Sequence, residues 1–434
     1  MGRDLLTFGK LIVVSDTDEV SQSSHHDVVI IGAGFIGVAT AQWLQMHGHK
    51  VTLVDEDPFK EGAYYGNACT IATYANIPVG TPAVIKQILS LLFNPQSPLS
   101  VRWSYFPALL PWLYHFALSS MPHKVENIAR ELGILLSEVN SAFEPIFKES
   151  NASELIDRNG SMYLYSSEQS FTNAQADIEL RRRSGIPVQE LSHADISDLE
   201  PNLNPIYHRG LLFNDGYHIR NPLQLLKNMG DSVKAKGGQI LRGKVLAINR
   251  VGSNEFSIAT DNGNLRGNKV VVAAGAWSKK FASQIGDKVP LDTEQGYHVM
   301  YNGAQDLLAR PVGWADVGFY MTPMDTALRA AGTVELGGLN NPSNPKRVKL
   351  IADTVKKLLP QLNDYDSQWT GFRPSMPDSM PVIGPSAIDK DVFYAFGHGH
   401  IGMTLSGVTG KIIADLISQR TPIVDIHPFR VDRF

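Results

Sequence analysis

Gly32, Gly34 and Gly37 stand in the spacing G-x-G-x-x-G, directly after the apolar run Val28-Val29-Ile30-Ile31 and directly before a helical pattern from Val38 to Gly48. In that position the first glycine makes a tight turn, the second lets backbone approach a pyrophosphate, and the third brings helix close to strand. The helix N-terminus adds N–H groups and the positive end of its dipole. Val51-Thr52-Leu53-Val54 is a second buried strand and ends on Asp55, whose carboxylate can accept hydrogen bonds from ribose hydroxyls. Strand, helix and terminal acid together point to dinucleotide binding. The acid repels a 2′-phosphate, which argues against NADP. FAD and NAD share this fingerprint, so the glycines alone do not choose between them.

A second G-x-G-x-x-G, Gly397, Gly399 and Gly402, follows the strand-like Asp391–Phe396. Only 32 residues come after Gly402 and no acid-terminated strand is among them, so no second dinucleotide unit can be completed. His398 and His400 flank Gly399 and could ligate a metal, but no third ligand is near in sequence, and no metal is expected. Cys69 is the one cysteine, which excludes an intramolecular disulfide, a C-x-x-C redox pair and a cysteine-rich zinc site.

The elements that must position these residues read as an α/β chain. Of 434 residues, 43% are hydrophobic and 19% charged, enough for a large core. A formal charge of −4 excludes a chain-wide basic footprint for nucleic acid. Residues 1–25 read as a polar tail, with no signal-peptide core and no stretch long enough to span a membrane. Helices are expected over 83–93, 124–150, 169–184, 223–236, 346–360 and 407–418. Strands are expected at 161–165, 239–241, 269–275, 291–301, 328–336 and 391–396. The Rossmann-like pieces are scattered, which predicts two interleaved domains. Residues 26–95, 196–285 and 365–434 would form the nucleotide domain, and 96–195 and 286–364 a substrate domain on a mixed or antiparallel sheet.

From residue 27 to 420 the chain resembles the FAD-dependent D-amino acid oxidase/dehydrogenase superfamily, and most closely its bacterial D-amino acid and hydroxyproline dehydrogenases. The resemblance is carried by Val54-Asp55-Glu56-Asp57-Pro58 with Gly66-Asn67-Ala68, by Val270–Ser278, and by Pro290-Leu291 with Gln295-Gly296-Tyr297. It is carried further by Gly371-Phe372-Arg373-Pro374 with Pro377–Gly384, by Gly397–Thr404, and by Asp215-Gly216 and Asn221-Pro222. It implies FAD, with Gly32, Ala33, Gly34, Phe35, Ile36, Gly37, Asp55, Glu56 and Val245 at its nucleotide end. Gly66, Asn67, Ala68, Ala274, Gly275, Trp277, Gly399, His400, Ile401, Gly402, Met403 and Thr404 would lie about the flavin. The second glycine motif then reads as backbone that steadies negative charge at the flavin N1/O2 edge.

The same resemblance implies oxidative deamination of an amino acid, D-configured or proline-like, by hydride transfer from Cα to flavin N5. Arg373 would hold the substrate carboxylate, since a guanidinium fork binds carboxylate bidentately. Tyr297, Tyr320 and His400 are the other catalytic candidates. Tyr64, Tyr65 and His218 could line the site. The chain departs from many relatives at Cys69, where they have Gly, and at Gln295, where they have Arg. Two further readings stay open: oxidation of a secondary amine such as sarcosine or an opine, and a non-catalytic subunit of a multi-chain oxidoreductase. The apolar stretch with Trp103, Phe106, Trp112, Tyr114 and Phe116 beside Lys86 and Arg102 is either packing or an interfacial patch. As a patch it would serve a quinone or respiratory carrier on the inner face of the cell membrane, on a chain that is otherwise cytoplasmic.

Overall fold

The structure is a computed structural model that describes residues 25–434, except 61, 87–96 and 98. Residues 1–24 of the expected tail lie outside the described residues. Of the helix expected over 83–93, residues 83–86 are helical and the remainder lies outside them.

Val28–Ile31 are fully or almost fully buried because parallel neighbours and helices cover both sides. Among the described residues the first sheet has eight strands. Gln239–Arg242, Val51–Asp55, His25–Ile31, the end of Gly263–Val272 and Val392–Phe396 run parallel in that order. Glu255–Thr260 and Val245–Gly252 continue the sheet as an antiparallel hairpin, and Val382–Pro385 pairs with Val392–Phe396. Alternation sends Val28 and Ile30 to one face and Val29 and Ile31 to the other. The first face is covered by the helices Phe35–Met46, Val139–Glu149, Pro222–Ala235 and Gly402–Ile417. Full burial of each large aliphatic side chain stabilises this core by about 1.5–3 kcal/mol.

A second sheet has nine strands among the described residues. Its order is Ser367–Ser375, Asp292–Asn302, Ala327–Leu336, Phe319–Pro323, Val312–Trp314, Ser161–Tyr165, Arg209–Phe213 and Gln189–Leu191, with Leu99–Val101 beside Ala327–Leu336. Helix Pro345–Leu358 covers its back.

The expected boundaries shift in three places. Arg209–Phe213 and Ser367–Ser375, expected in the nucleotide domain, are strands of the second sheet. The stretch 124–150, expected as one helix of the substrate domain, is two helices, Pro122–Ser137 and Val139–Glu149, and their apolar faces join the first core. The final helix begins at Gly402, not 407, so the second glycine motif feeds straight into it.

Candidate active site

The two glycine motifs meet different demands. A Cβ on Gly32 would sit 2.4 Å from the Ala273 carbonyl oxygen, and one on Gly37 would sit 2.0 Å from that of Gly32. Backbone packing therefore dictates both. A Cβ on Gly34 would meet only the Tyr64 ring, at 3.6 Å, so the fold itself does not demand that glycine. Helix Phe35–Met46 has no side-chain cap and no acid in its first turn, which leaves its N–H groups to an anion. Ala33, Phe35 and Ile36 are packed into the core and offer only backbone. Asp55 accepts the Ala33 N–H at 2.8 Å and the Asp57 N–H at 3.0 Å. It braces the glycine turn while keeping lone pairs for a ribose. Glu56 pairs with exposed Lys244 at 3.1 Å, and Val245 is buried by its side chain beside that pair.

The loop Tyr65–Cys69 is fixed to the front of the second sheet through its carbonyls. Arg329 donates to the Tyr65 oxygen at 2.6 Å and the Asn67 oxygen at 2.9 Å, and Thr322 donates to the Ala68 oxygen at 2.8 Å. The His298 ring nitrogen lies 3.3 Å from the Gly66 oxygen. Trp369 explains two further glycines: a Cβ on Gly66 or Gly371 would fall 1.9 or 2.2 Å from its indole. His298 stacks on that indole with centroids 5.4 Å apart. Cys69 has φ +59, a conformation glycine adopts freely and a residue with a side chain rarely does. Its thiol is buried, receives Arg329 at 3.0 Å, and is pushed up by burial.

Arg373 and Glu294 face each other across adjacent antiparallel strands, at the same register and on the front face. The Arg373 guanidinium leans over Gly296, where a Cβ would lie 2.5 Å from it. Glu294 lines a cleft with Trp112, Phe116, Ser375, Met376, His398, Gly399, His400 and Ile401. The bridge between Ser375 and His398 holds strand and glycine loop together. His398 is bonded to the Thr409 hydroxyl at 3.0 Å and burial lowers its pKa to about 3. His400 is exposed at the cleft, and crowding by surrounding protein and then the Arg373 cation lower its pKa. Gly275 and Gly399 are left-handed and face open space or a lone distant hydroxyl. Trp277 is exposed on the turn beside the strand Ser367–Ser375.

Several expectations need correction. Arg373 lies in a strand, not a loop. Tyr297 points to the back of the sheet, one residue out of phase with Glu294, Gly296 and His298. Its hydroxyl accepts the Asn344 N–H at 3.3 Å within the second core. Tyr320 is on the front face but is built into a tyrosine cluster, 3.1 Å from the Tyr74 hydroxyl. Burial drives its pKa well up, and it lies on the far side of His298 from Arg373. Gln295 also points backwards, into a network with Asn341 and Thr370. Ile401 is buried in the first core. Met403 and Thr404 hold the segment Asn67–Ala72 with their side chains, receiving Asn67 Nδ2 at 3.5 Å and the Ala72 N–H at 3.0 Å. Among these three, only the uncapped first-turn N–H groups of Gly402–Ile417 stay open to a ligand. His218 sits in a small separate sheet 3.7 Å from Asp157. Trp112 and Phe116 are inside, stacked at 5.1 Å, with Trp112 Nε1 bonded to the Ser375 oxygen at 3.1 Å.

Sequence reasoning passed over Glu294, His298, Arg329, Trp369 and Thr322. The available signal for Arg329 was a lone cation in the apolar strand Ala327–Leu336. For Glu294 and His298 it was their alternation with Gly296.

The residues fit FAD. Gly34 and an uncapped helix suit its diphosphate and Asp55 its ribose, and the carbonyl-anchored loop, Gly275 and the Gly399–Thr404 backbone are the segments that would lie about its ring. The profile of the FAD dependent oxidoreductases matches residues 27–416. A protein named D-amino-acid oxidase from Bradyrhizobium diazoefficiens is 35% identical over 94% of this chain and 98% of its own length. A D-amino acid dehydrogenase of Paramagnetospirillum magneticum is 28% identical over 94% of this chain and 98% of its own. The glycine oxidase of Geobacillus kaustophilus has a similar fold, with TM-score 0.75, 21% identity, and coverage of 95% of this chain and 100% of its own.

Proposed function

We propose that this chain, which belongs to the family of FAD-dependent oxidoreductases, oxidises a free amino acid at its Cα–N bond, with D-configured and proline-like amino acids the first to test. FAD, when bound, supplies the acceptor for the hydride that leaves Cα. The observation that carries the reading is Arg373: a half-buried guanidinium on the front face, lowered in pKa by desolvation, with Glu294 the charge that opposes the shift. A half-buried cation without an ion-pair partner favours an anionic ligand group, and a substrate carboxylate fits its fork. The names of the relatives, oxidase and dehydrogenase of D-amino acids, support the same substrate class. Anaerobic mixing of the FAD-loaded protein with D- and L-amino acids, prolines and sarcosine tests it. Bleaching of the flavin absorbance by a carboxylate-bearing amine is expected. No bleaching by any of them overturns the reading.

A second observation bears on the electron acceptor. Helix Phe106–Ser119 carries no charged residue. Its inner residues Leu109, Trp112 and Phe116 are buried, while Leu110, Tyr114 and Leu118 are 50%, 64% and 38% exposed, with Trp103 56% exposed beside them. The interfacial patch therefore belongs to the outer residues; Trp112 and Phe116 are walls of the cleft. An uncharged apolar face of this kind suits the surface of a bilayer, and a membrane-borne quinone would meet it one helix away from the cleft. Among the described residues no helix is long and apolar enough to cross a membrane. In liposome flotation the wild type is expected to float, and Leu110→Glu with Leu118→Glu to remain below while still reducing a soluble quinone analogue. A wild type that does not float ends this reading and leaves amino acid oxidation standing.

A further inference from the structure

Resting on the amino acid reading above, we propose that Glu294 receives the amine of the substrate, so that Arg373 and Glu294 form a split pair which a zwitterion completes. The two are direct cross-strand neighbours on one face, an arrangement in which opposite charges ordinarily close on each other. Here they do not. Arg373 turns over Gly296, Glu294 turns to the cleft, and among the described residues Arg373 has no ion-pair partner within 4.0 Å. Glu294 is 9% exposed and is the one acid among the described residues that line the cleft. Buried charges are costly unless paired, and both groups are pushed toward neutrality. Burial raises Glu294, opposed by Arg373 and the Ser375 hydroxyl, and burial lowers Arg373, opposed by Glu294. An amino acid bears both missing charges on adjacent atoms: its carboxylate completes Arg373 and its ammonium completes Glu294.

The other groups around Glu294 leave it this task. Asp292 on its own strand repels it, but is already bound by the Tyr105 hydroxyl at 3.1 Å. On the glycine loop, buried His398 is neutral with a pKa lowered to about 3, and exposed His400 is lowered in pKa, with the Arg373 cation contributing. Trp112 and Phe116 on the helix bring only apolar surface, which excludes water. In this setting an ionised Glu294 oxygen takes a proton from the substrate ammonium. The N–H bond breaks, its electron pair stays on nitrogen, and an O–H bond forms on Glu294. The free amine then has the lone pair that hydride loss from Cα requires. The proton leaves to solvent after product release.

The test compares wild type, Glu294→Gln and Glu294→Asp, each FAD-loaded, using the amino acid that bleaches wild type best. At neutral pH Glu294→Gln should lower kcat/KM by about 10²-fold, the usual scale of a lost general base. The deficit should shrink as pH rises toward the pKa of the substrate amine, where the substrate arrives already deprotonated. Glu294→Asp should recover most of the neutral-pH rate. Propionate, a carboxylate without an amine, should perturb the flavin spectrum of Glu294→Gln at the same or lower concentration than in wild type, since Arg373 is intact and a repelling charge is gone. A pH-independent deficit, weaker propionate binding in Glu294→Gln, or wild-type kinetics overturns the role of Glu294. If Glu294→Gln does not load FAD, Glu294→Ala takes its place, with the same deficit that shrinks as pH rises expected and a pH-independent deficit or wild-type kinetics overturning the role. If no amino acid reduces the wild type, the amino acid reading itself falls.

Discussion

The two faces of the strand Asp292–Asn302 are equally buried and chemically opposite. On the back, polar groups close on one another. Asn341 donates to Gln295 at 2.7 Å and to Glu335 at 2.9 Å, Asn344 donates to Glu335 at 2.8 Å, and Gln295 donates to Thr370 at 3.2 Å. On the front, one residue out of phase, Arg373 and Glu294 stand side by side without closing. On the back most polar groups are paired within the chain, although Asn341 Oδ1, Thr293 Oγ1 and Tyr301 OH are not; on the front two opposite charges stand side by side, left on the proposed reading to a ligand. Burial and residue type therefore do not mark a site. What sets the front apart is a pair of opposite charges that are neighbours in register and do not close.

The sharpest way to break this contrast is Arg373→Ala. If Arg373 holds the substrate carboxylate, kcat/KM should fall by about 10²-fold, roughly 3 kcal/mol of charge-assisted binding, with most of the loss in KM. FAD content should stay at the wild-type level, because the loop Tyr65–Cys69 is fixed by Arg329, Thr322 and His298 and not by Arg373. Arg373→Lys should recover only part of the loss, since a lysine restores the charge without the planar fork. Steady-state kinetics with the best substrate, beside the flavin-to-protein absorbance ratio, measures both quantities. Unchanged kinetics in Arg373→Ala would erase the distinction between the faces.

How much of this could be read beforehand follows from the physics of each part. The nucleotide unit was legible because a run buried on both faces, a glycine turn and an acid are local signals. Gly32 and Gly37 are dictated by backbone contacts within that same unit, at 2.4 and 2.0 Å. Arg373 was legible by its resemblance alone. Its face, and that of Tyr297, was not, because period-2 alternation separates faces only when one of them is wet, and here helix Pro345–Leu358 covers the back. The bulge opposite Gly296 and Tyr297 further shifts the register against Ala327–Leu336. Helix Phe106–Ser119 was obscured by Pro107 and Pro111. Pro107 sits in the first turn, where no N–H partner is needed, and Pro111 is on the exposed side. The hairpin Val245–Thr260 was passed over because its outer strand is largely solvent-facing and shows no clean alternation. Trp369 had no local signal at all: its place is set by two glycines, Gly66 and Gly371, far apart in the chain.

The back face offers the smaller and complementary measurement. Tyr297 is a site candidate by resemblance alone, and its ring is fully buried among the second core while its hydroxyl accepts one N–H, from Asn344 at 3.3 Å. Burial pushes that hydroxyl up to about 12, with the Glu335 charge adding to the effect, so it stays protonated across the working range and supplies no titration to the pH profile. Tyr297→Phe keeps the ring and removes only the hydroxyl. The expected cost is about 1 kcal/mol of stability for one neutral hydrogen bond, a fall in Tm of about 1 °C for a chain of this size. Kinetics should stay within about twofold of wild type, because no path of contacts on the front face passes through this hydroxyl. A tyrosine that touched substrate would behave in the opposite way, leaving Tm in place and lowering kcat/KM by tenfold or more, as expected for a charge-assisted bond of about 1.5–3 kcal/mol. Thermal unfolding and kinetics of this one variant therefore locate the side chain, and the second pattern would return Tyr297 to the site and place the boundary between the faces elsewhere.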